Sequence, residues 1–340
     1  MTAPLSPRPE STLRRLWAGW RREIIRGTGL FILVVGGGIL IVSGVRHGTA
    51  RVRERFRGLA EQLPGNLDIG SSDGPRQTGD TMRWSGAAPA GNTVFIRNTN
   101  GGITVDGSQG REVRVTGVKS WGQSDPSEVR VVEAPGPEGL TICVLWSGSE
   151  SDCRAGGHYD QHSLHHSDVA VDLHVTVPSD VPLDLLTVNG EVQVTGVGAP
   201  VTMKSVNGGA DIATSRGPVK AVTVNGNVKA RMSALDSGEV NVVTVNGNAE
   251  VDLPASVNAK LEVKTVSGSI STDFPLSVTG EFVGRQLNGA LGAGGPARVH
   301  VQAVNGSVVV NKYAGVPARP RVRARRAAPE PKAAPPAPAH

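Results

Sequence analysis

The densest group of side chains able to do chemistry is "CRAGGHYDQHSLHH", which runs from Cys153 to His166. It places His158, His162, His165 and His166 within nine residues, with Asp160 and Asp168 close by. Neutral imidazole is the commonest biological metal ligand, so three or four of these rings closing together would suit zinc or copper. Helical spacing would align His158, His162 and His166, but Gly156-Gly157 and the strand-like flanks argue for a loop. No second cysteine pair and no Glu-bearing metalloprotease signature accompanies them, so a solvated polar loop is the preferred reading and a metal module the alternative. His174, in "DLHVTV", reads as an exposed alternate position of a strand. There is no nucleophile elbow and no phosphate-binding loop, and Trp84, Trp121, Trp146, Tyr159 and Tyr313 lie outside the regular repeats described below. The sequence predicts a protein that is not an enzyme, with no catalytic residues and no cofactor.

Cys143 and Cys153 are the only cysteines, both in "TICVLWSGSESDC". A close pair at the ends of a turn predicts a disulfide in an oxidising compartment; the competing reading is a buried thiol in the strand and a free one in the loop.

The second half of the chain is built on a ruler. A motif close to "VTVNGNV" returns seven times, with its key position at Asn189, Asn207, Asn225, Asn246, Ser267, Asn288 and Asn305. The steps are 18, 18, 21, 21, 21 and 17 residues. A nearly fixed period marks stacked units, each too small to bury a face alone. The column before the Asn (Val188, Val206, Val224, Val245, Val266, Leu287, Val304) is apolar throughout. So is the column three after it (Val192, Ala210, Val228, Ala249, Ile270, Leu291, Val308). Both are expected in the core. The column four after (Gln193, Asp211, Lys229, Glu250, Ser271, Gly292, Val309) is expected on a solvated face. Asn-Gly tolerates positive φ, so each copy taken singly reads as a tight hairpin, and the series reads as turns stacked coil on coil with Asn bonded to Asn. The predicted fold is all-β: a β-solenoid of tandem strand-turn-strand repeats, with an antiparallel β-meander as the alternative. "NTNGGITV" at 98–105 looks like a founding copy.

The tandem "TVNG-x-V" pattern resembles a bacterial β-strand-repeat family of candidate adhesins, a domain of unknown function related to toastrack-type envelope domains. The upstream "RWSGAAPAGNTVFIRNTNGGITV", "VKSW" and "TICVLW" followed by Cys153 resemble the N-terminal half of its members. The likeness spans roughly residues 82–312. It implies a solenoid-like fold, often membrane-tethered and assigned to the cell envelope, and it carries no catalytic residue across. Ser267 and the degenerate "QLNGALGAGG" depart from the motif, which implies an irregular coil around 285–296.

The ends of the chain supply an address. Residues 27–45, "GTGLFILVVGGGILIVSGV", carry no charge and as a helix would span about 28 Å, enough for a bilayer core. Residues 1–26 form a basic, Trp-bearing amphipathic segment that suits the cytoplasmic interface. A cleaved signal peptide ending at Ala50 is the second reading. Arg flanks both sides of the span, so a single pass with the C-terminal domain extracytoplasmic is the default orientation. Val52, Phe56, Leu59 and Leu63 make one helical stripe over 46–63, a stalk; residues 64–92 read as linker, 93–178 as a first β-region and 179–314 as the repeat solenoid. Residues 315–340 are a Pro/Ala/Arg tail with nothing to bury. Aromatics are only 4% against 44 Gly and 23 Pro, a profile of short strands and turns rather than a helical enzyme. Net charge is +5 overall, but residues 1–60 carry +8 and 317–340 carry +5, so the body is acidic and nucleic-acid binding is disfavoured. The expected protein is a membrane-anchored, extracytoplasmic structural or adhesin-like component of the bacterial inner-membrane envelope. Its expected partner is an envelope protein or an anionic polymer, the latter gripped by Arg319, Arg321, Arg323, Arg325 and Arg326. An envelope-stress signalling role, with residues 1–26 reporting inside, is the alternative.

Overall fold

The computed structural model describes residues 76–88, 91–146, 152–160, 167–276 and 284–313. The expected span, stalk and tail, and His162, His165 and His166, lie outside them. No helix among the described residues is long and apolar enough to cross a membrane.

The chain opens with β1 (Gln77–Ala87), β2 (Thr93–Arg97), β3 (Ile103–Ser108), β4 (Glu112–Trp121), β5 (Val129–Gly136) and β6 (Gly139–Trp146). A small hairpin of β7 (Asp152–Arg154) and β8 (His158–Asp160) precedes β9 (Ala170–Pro178). Regular units follow: β10 (Leu183–Asn189) with β11 (Val192–Val197), β12 (Val201–Asn207) with β13 (Ala210–Thr214), β14 (Val219–Asn225) with β15 (Val228–Met232), and β16 (Glu239–Asn246) with β17 (Ala249–Pro254). The last strands are β18 (Ala259–Ser267), β19 (Ile270–Thr272), β20 (Arg285–Leu291), β21 (Ala297–Asn305) and β22 (Val308–Tyr313).

The units stack as a two-faced β-solenoid. Each sends one strand to each of two ten-stranded sheets, turning at its Asn-Gly corner. Sheet A runs β1-β4-β9-β3-β11-β13-β15-β17-β22-β19, and sheet B runs β5-β6-β2-β10-β12-β14-β16-β21-β18-β20. Pairing along the repeats is parallel and in register, so Asn189, Asn207, Asn225 and Asn246 sit over one another. The founding copy is real: β2 and β3 pair in parallel with β10 and β11. Among the described residues antiparallel pairs occur only towards the ends, at β1–β4, β4–β9, β5–β6 and β18–β20, and in the small hairpin. The meander is therefore excluded for the repeats.

Sequence order and stacking order differ at both ends. The β21/β22 unit lies between β16/β17 and β18/β19, so Asn246 is paired with Asn305 and not with Ser267. Likewise β2 and β3 lie between β6 and β9 on one side and β10 and β11 on the other.

Between the sheets, alternate residues of both interdigitate as the core, among them Leu183, Leu185, Val194, Met203, Ile212, Val240 and Val242. The column three after the Asn belongs there, with Val192, Val228, Ala249 and Val308 closed to solvent. Of the column before the Asn, Leu287 belongs there too, but the valines do not. Val224, Val245 and Val304 belong to a second apolar cluster with Leu186, Val222 and Val243, on the outer face of sheet B. Period-two alternation explains this: the intervening Thr, not the Val, points inward.

Two further expectations are corrected. Residues 64–92 are not wholly linker, because β1 pairs with β4 from Gln77 to Ala87. It is an edge strand with one solvated face, anchored by Trp84 against the core, so its apolar signal is thin. Asn288 is not a turn: Asn288-Gly289 lies within β20, which caps sheet B antiparallel to β18.

The corner itself is not a hairpin. Its glycine is required by close approach: a Cβ on Gly208 would lie 1.9 Å from the carbonyl oxygen of Gly190, one on Gly247 2.0 Å from that of Gly226, and one on Gly306 1.9 Å from that of Gly247. Those carbonyls belong to backbone held by coil-to-coil hydrogen bonds, such as Gly226 N–H to Asn246 O at 3.0 Å and Gly247 N–H to Asn305 O at 3.0 Å. The clash therefore cannot relax by a side-chain shift. We expect Gly247→Ala to lower stability in urea unfolding by about 2–3 kcal/mol or more. Gly110→Ala is the control, since its Cβ would meet only Ser108 Oγ at 3.5 Å, and it should stay within about 0.5 kcal/mol.

Candidate functional site

Every letter of Thr-Val-Asn-Gly has a separate task at the corner. The Thr side chain turns in and donates to a glycine carbonyl of the neighbouring coil: Thr223 to Gly208 at 2.8 Å, Thr244 to Gly226 at 2.9 Å, Thr265 to Gly306 at 2.8 Å. The Val turns outward on sheet B. The Asn side chains form an exposed amide ladder, each Nδ2 donating to the Oδ1 of its neighbour. The bonds run from Asn207 to Asn189 (2.8 Å), Asn225 to Asn207 (2.9 Å), Asn246 to Asn225 (2.8 Å) and Asn305 to Asn246 (2.9 Å). Aligned amide dipoles polarise one another, which strengthens the chain of bonds.

A second ladder runs two residues further on. Asn248 N–H donates to Asn227 Oδ1 at 2.8 Å, Ser307 N–H to Asn248 Oδ1 at 2.9 Å, and Ser269 Oγ to Ser307 Oγ at 2.9 Å. Beside it an open groove of about 660 Å³ follows the edge, lined by Asn225, Asn227 and Asn248 together with Glu191, Asp211, Lys229 and Glu250. On the adjoining outer face of sheet A, charges pair from coil to coil: Lys229 with Glu250 at 2.7 Å and Arg231 with Asp252 at 3.1 Å. Asn311 donates to both carboxylates. The column read as a solvated face thus carries an ordered network. What the edge offers chemically is a row of amide groups repeating every strand spacing, about 4.8 Å, with isolated carboxylates and Lys229 beside it.

A second locus lies on the outside of sheet B at β2, β5 and β6. The disulfide predicted from sequence is present, Cys143 to Cys153, with Cα atoms 6.1 Å apart. It fastens the β7–β8 hairpin over Arg97, a residue that the sequence reading passed over. Arg97 is 2% exposed; its Nε donates to Gly157 O at 2.8 Å, and its Nη1 donates to Asp184 O at 2.7 Å and lies 2.9 Å from Asp184 Oδ1. Burial draws its pKa down while Asp184 opposes the shift. Tyr159 is buried beside it, donating to Val144 O at 3.0 Å and accepting from Thr99 Oγ1 at 2.5 Å, and burial pushes its phenol well above the ordinary range. The one available signal for Arg97 was an Arg at an alternate position of "VFIRNTN", beside the founding Asn-Gly corner.

His158 sits in β8, exposed, with Nε2 3.8 Å from Asp152 Oδ2. Among the described residues no three His, Cys, Asp or Glu side chains gather as metal ligands, and Cys153 is committed to the disulfide. His174 is exposed on β9, as expected.

Residues 163–311 match the family profile described as Toastrack DUF4097. Three solved structures are similar to this chain. A candidate cell adhesion protein from Clostridium sporogenes is 11% identical, with 69% of this chain and 100% of that one covered at a TM-score of 0.40. A candidate adhesin from Bacteroides fragilis is 10% identical, with 69% and 97% covered at 0.34. A candidate adhesin from Parabacteroides distasonis is 14% identical, with 72% and 100% covered at 0.23. No curated protein matches the sequence.

The ladder separates two asparagines that the repeat makes look alike. Asn225→Ala removes one bond to Asn207 and one from Asn246, and we expect it to cost about 1–2 kcal/mol in urea unfolding. Asn288 is exposed in the capping strand, outside the ladder, and Asn288→Ala should change stability by less than about 0.5 kcal/mol. Equal effects would show that the ladder adds nothing.

Proposed function

On the premise that residues 163–311 are a Toastrack domain of the DUF4097 family, we propose that this protein is a membrane-tethered, extracytoplasmic interaction scaffold of the bacterial envelope. The observation that carries this reading is the Cys143–Cys153 disulfide, which belongs to an oxidising compartment and here closes a hairpin over a buried guanidinium. The uncharged run at 27–45 supplies the tether, N-terminus inside. The stacked coils give a stiff body whose edge repeats the same polar groups, and such a body works by presenting a surface to an envelope protein or polymer. The Asn-Gly edge, with its groove between Glu191 and Glu250, is the face we assign to that contact.

The test is topological. With a protease site and tag at the C-terminus, external protease should remove the tag from intact cells or spheroplasts, and maleimide should label Cys143 and Cys153 only after reduction. A protected tag together with thiols that label without reductant would overturn the reading and place the solenoid in the cytoplasm.

A further inference from the structure

The two outer faces of the solenoid differ in kind. Sheet A shows solvent its coil-to-coil ion pairs. Sheet B carries a row of outward valines, Val188, Val206, Val224, Val245, Val304 and Val266, which crosses six strands from β10 to β18. In the next row Leu186, Lys204, Val222 and Val243 are register partners. These side chains are outside the inter-sheet core, yet Leu186, Val222 and Val243 are each 1% exposed and Val188 is 3% exposed. Lys204 is half-buried among them, and burial draws its ammonium pKa down. Val206, Val224, Val304 and Val266 are partly exposed beside them, and an apolar band left partly open marks a contact surface. Of the described elements outside sheet B, the β7–β8 hairpin and the turn at 155–157 lie mainly against β2, β5 and β6, where Tyr159 and Cys153 close one end of the apolar cluster.

We propose that residues 51–63 of this chain dock along the valine row as an amphipathic helix. Their stripe of Val52, Phe56, Leu59 and Leu63 recurs at helical spacing, while Arg51, Arg53, Arg55 and Arg57 fall off it. Thirteen helical residues measure about 20 Å. The row from β10 to β18 measures about 24 Å at about 4.8 Å per strand. The connection also reaches. Residues 64–75 extend to about 40 Å. From β1 the centre of the row, between β14 and β16, lies six to seven strands along the stack, about 31 Å, and about 20 Å across the two sheets to a helix axis outside sheet B, about 37 Å in all.

The other parts of the chain fit less well. Residues 317–340 contain one valine and no leucine, isoleucine, methionine or phenylalanine. Residues 277–283 are tethered on both sides at the β20 end, and so reach about 12 Å outward. From β20 to β14 is four strands, about 19 Å. The contact does not depend on whether 27–45 spans a bilayer. If it does, docking holds sheet B close to the membrane and leaves the Asn-Gly edge and sheet A facing away.

The test uses the full chain with Leu59→Cys and Val224→Cys added to the native disulfide pair, prepared in two differently tagged forms and oxidised mildly after mixing. An in-chain disulfide between positions 59 and 224 is the expected result. In a second pair of chains, both with Val224→Cys alone, adding Phe56→Asp should speed maleimide labelling of position 224 about tenfold, because the docked state opens. Cys143 and Cys153 staying unlabelled without reductant reports that the solenoid is intact. A bond found only between tagged copies would assign the face to a second copy and overturn the proposal. Labelling at the same rate with and without Phe56→Asp, and no bond, would overturn it too.

Discussion

The stack depends on one close approach. At each corner a glycine carbonyl of one coil occupies the space where the next coil's glycine would carry a Cβ, at about 2 Å for Gly190, Gly208, Gly247, Gly268 and Gly306. Because that space is backbone, glycine is needed for its missing side chain more than for its freedom at positive φ. Once the backbones meet so closely, the buried Thr hydroxyls reach the same carbonyls and the Asn amides come within hydrogen-bond distance of one another. Register follows, and with it every other row. A one-residue slip would carry the whole inner valine set outward and bring the outer one in.

Register alone does not fix the order of the coils, and here the chain departs from its own ruler. The β21/β22 unit enters between two units that are consecutive in sequence, joining Asn246 to a partner 59 residues away. The β2/β3 unit is enclosed in the same way at the other end. Each end is therefore held by pairings to coils distant in sequence, which a simple solenoid lacks. Such closure raises contact order and slows folding, while making the terminal coils hard to peel away. The antiparallel strands β20, β5 and β1 complete the ends, and Pro135 in β5 is the type of residue that blunts an edge.

The parts legible in the sequence were those set by periodicity. The fixed step, the in-register Asn column, the founding corner at Asn100-Gly101 and the buried Val192-to-Val308 column all follow from equal units stacking. The parts that were not legible are those where chemically equivalent units could have exchanged places. Nothing in "VTVNGNAEV" distinguishes a neighbour at Ser267 from one at Asn305, and both corners offer the same carbonyl and hydroxyl. The column before the Asn was misread because a valine signals a strand face without saying which sheet's face it is. Arg97 was missed for a related reason: one charged residue in a strand is ordinarily solvated, and only the β7–β8 hairpin, brought over it by Cys153, makes it a buried one.

That hairpin marks where repetition stops. Between β6 and β9 the connection is not an Asn-Gly corner, so this coil lacks the ladder that fastens the others. In its place stand a disulfide, a buried guanidinium bonded to Gly157 and Asp184, and a buried phenol between Thr99 and Val144. Two kinds of surface are thereby separated in space. A surface made by repetition offers equivalent groups at each strand spacing, so it discriminates among partners that themselves repeat, and it gains affinity by engaging several coils at once. The hairpin end presents a single, non-repeating constellation, with His158 exposed and Asp152 half-buried beside it. The long middle and the fastened end are thus two surfaces on one stack, joined where β2 pairs in parallel with β10 on one side and β6 on the other.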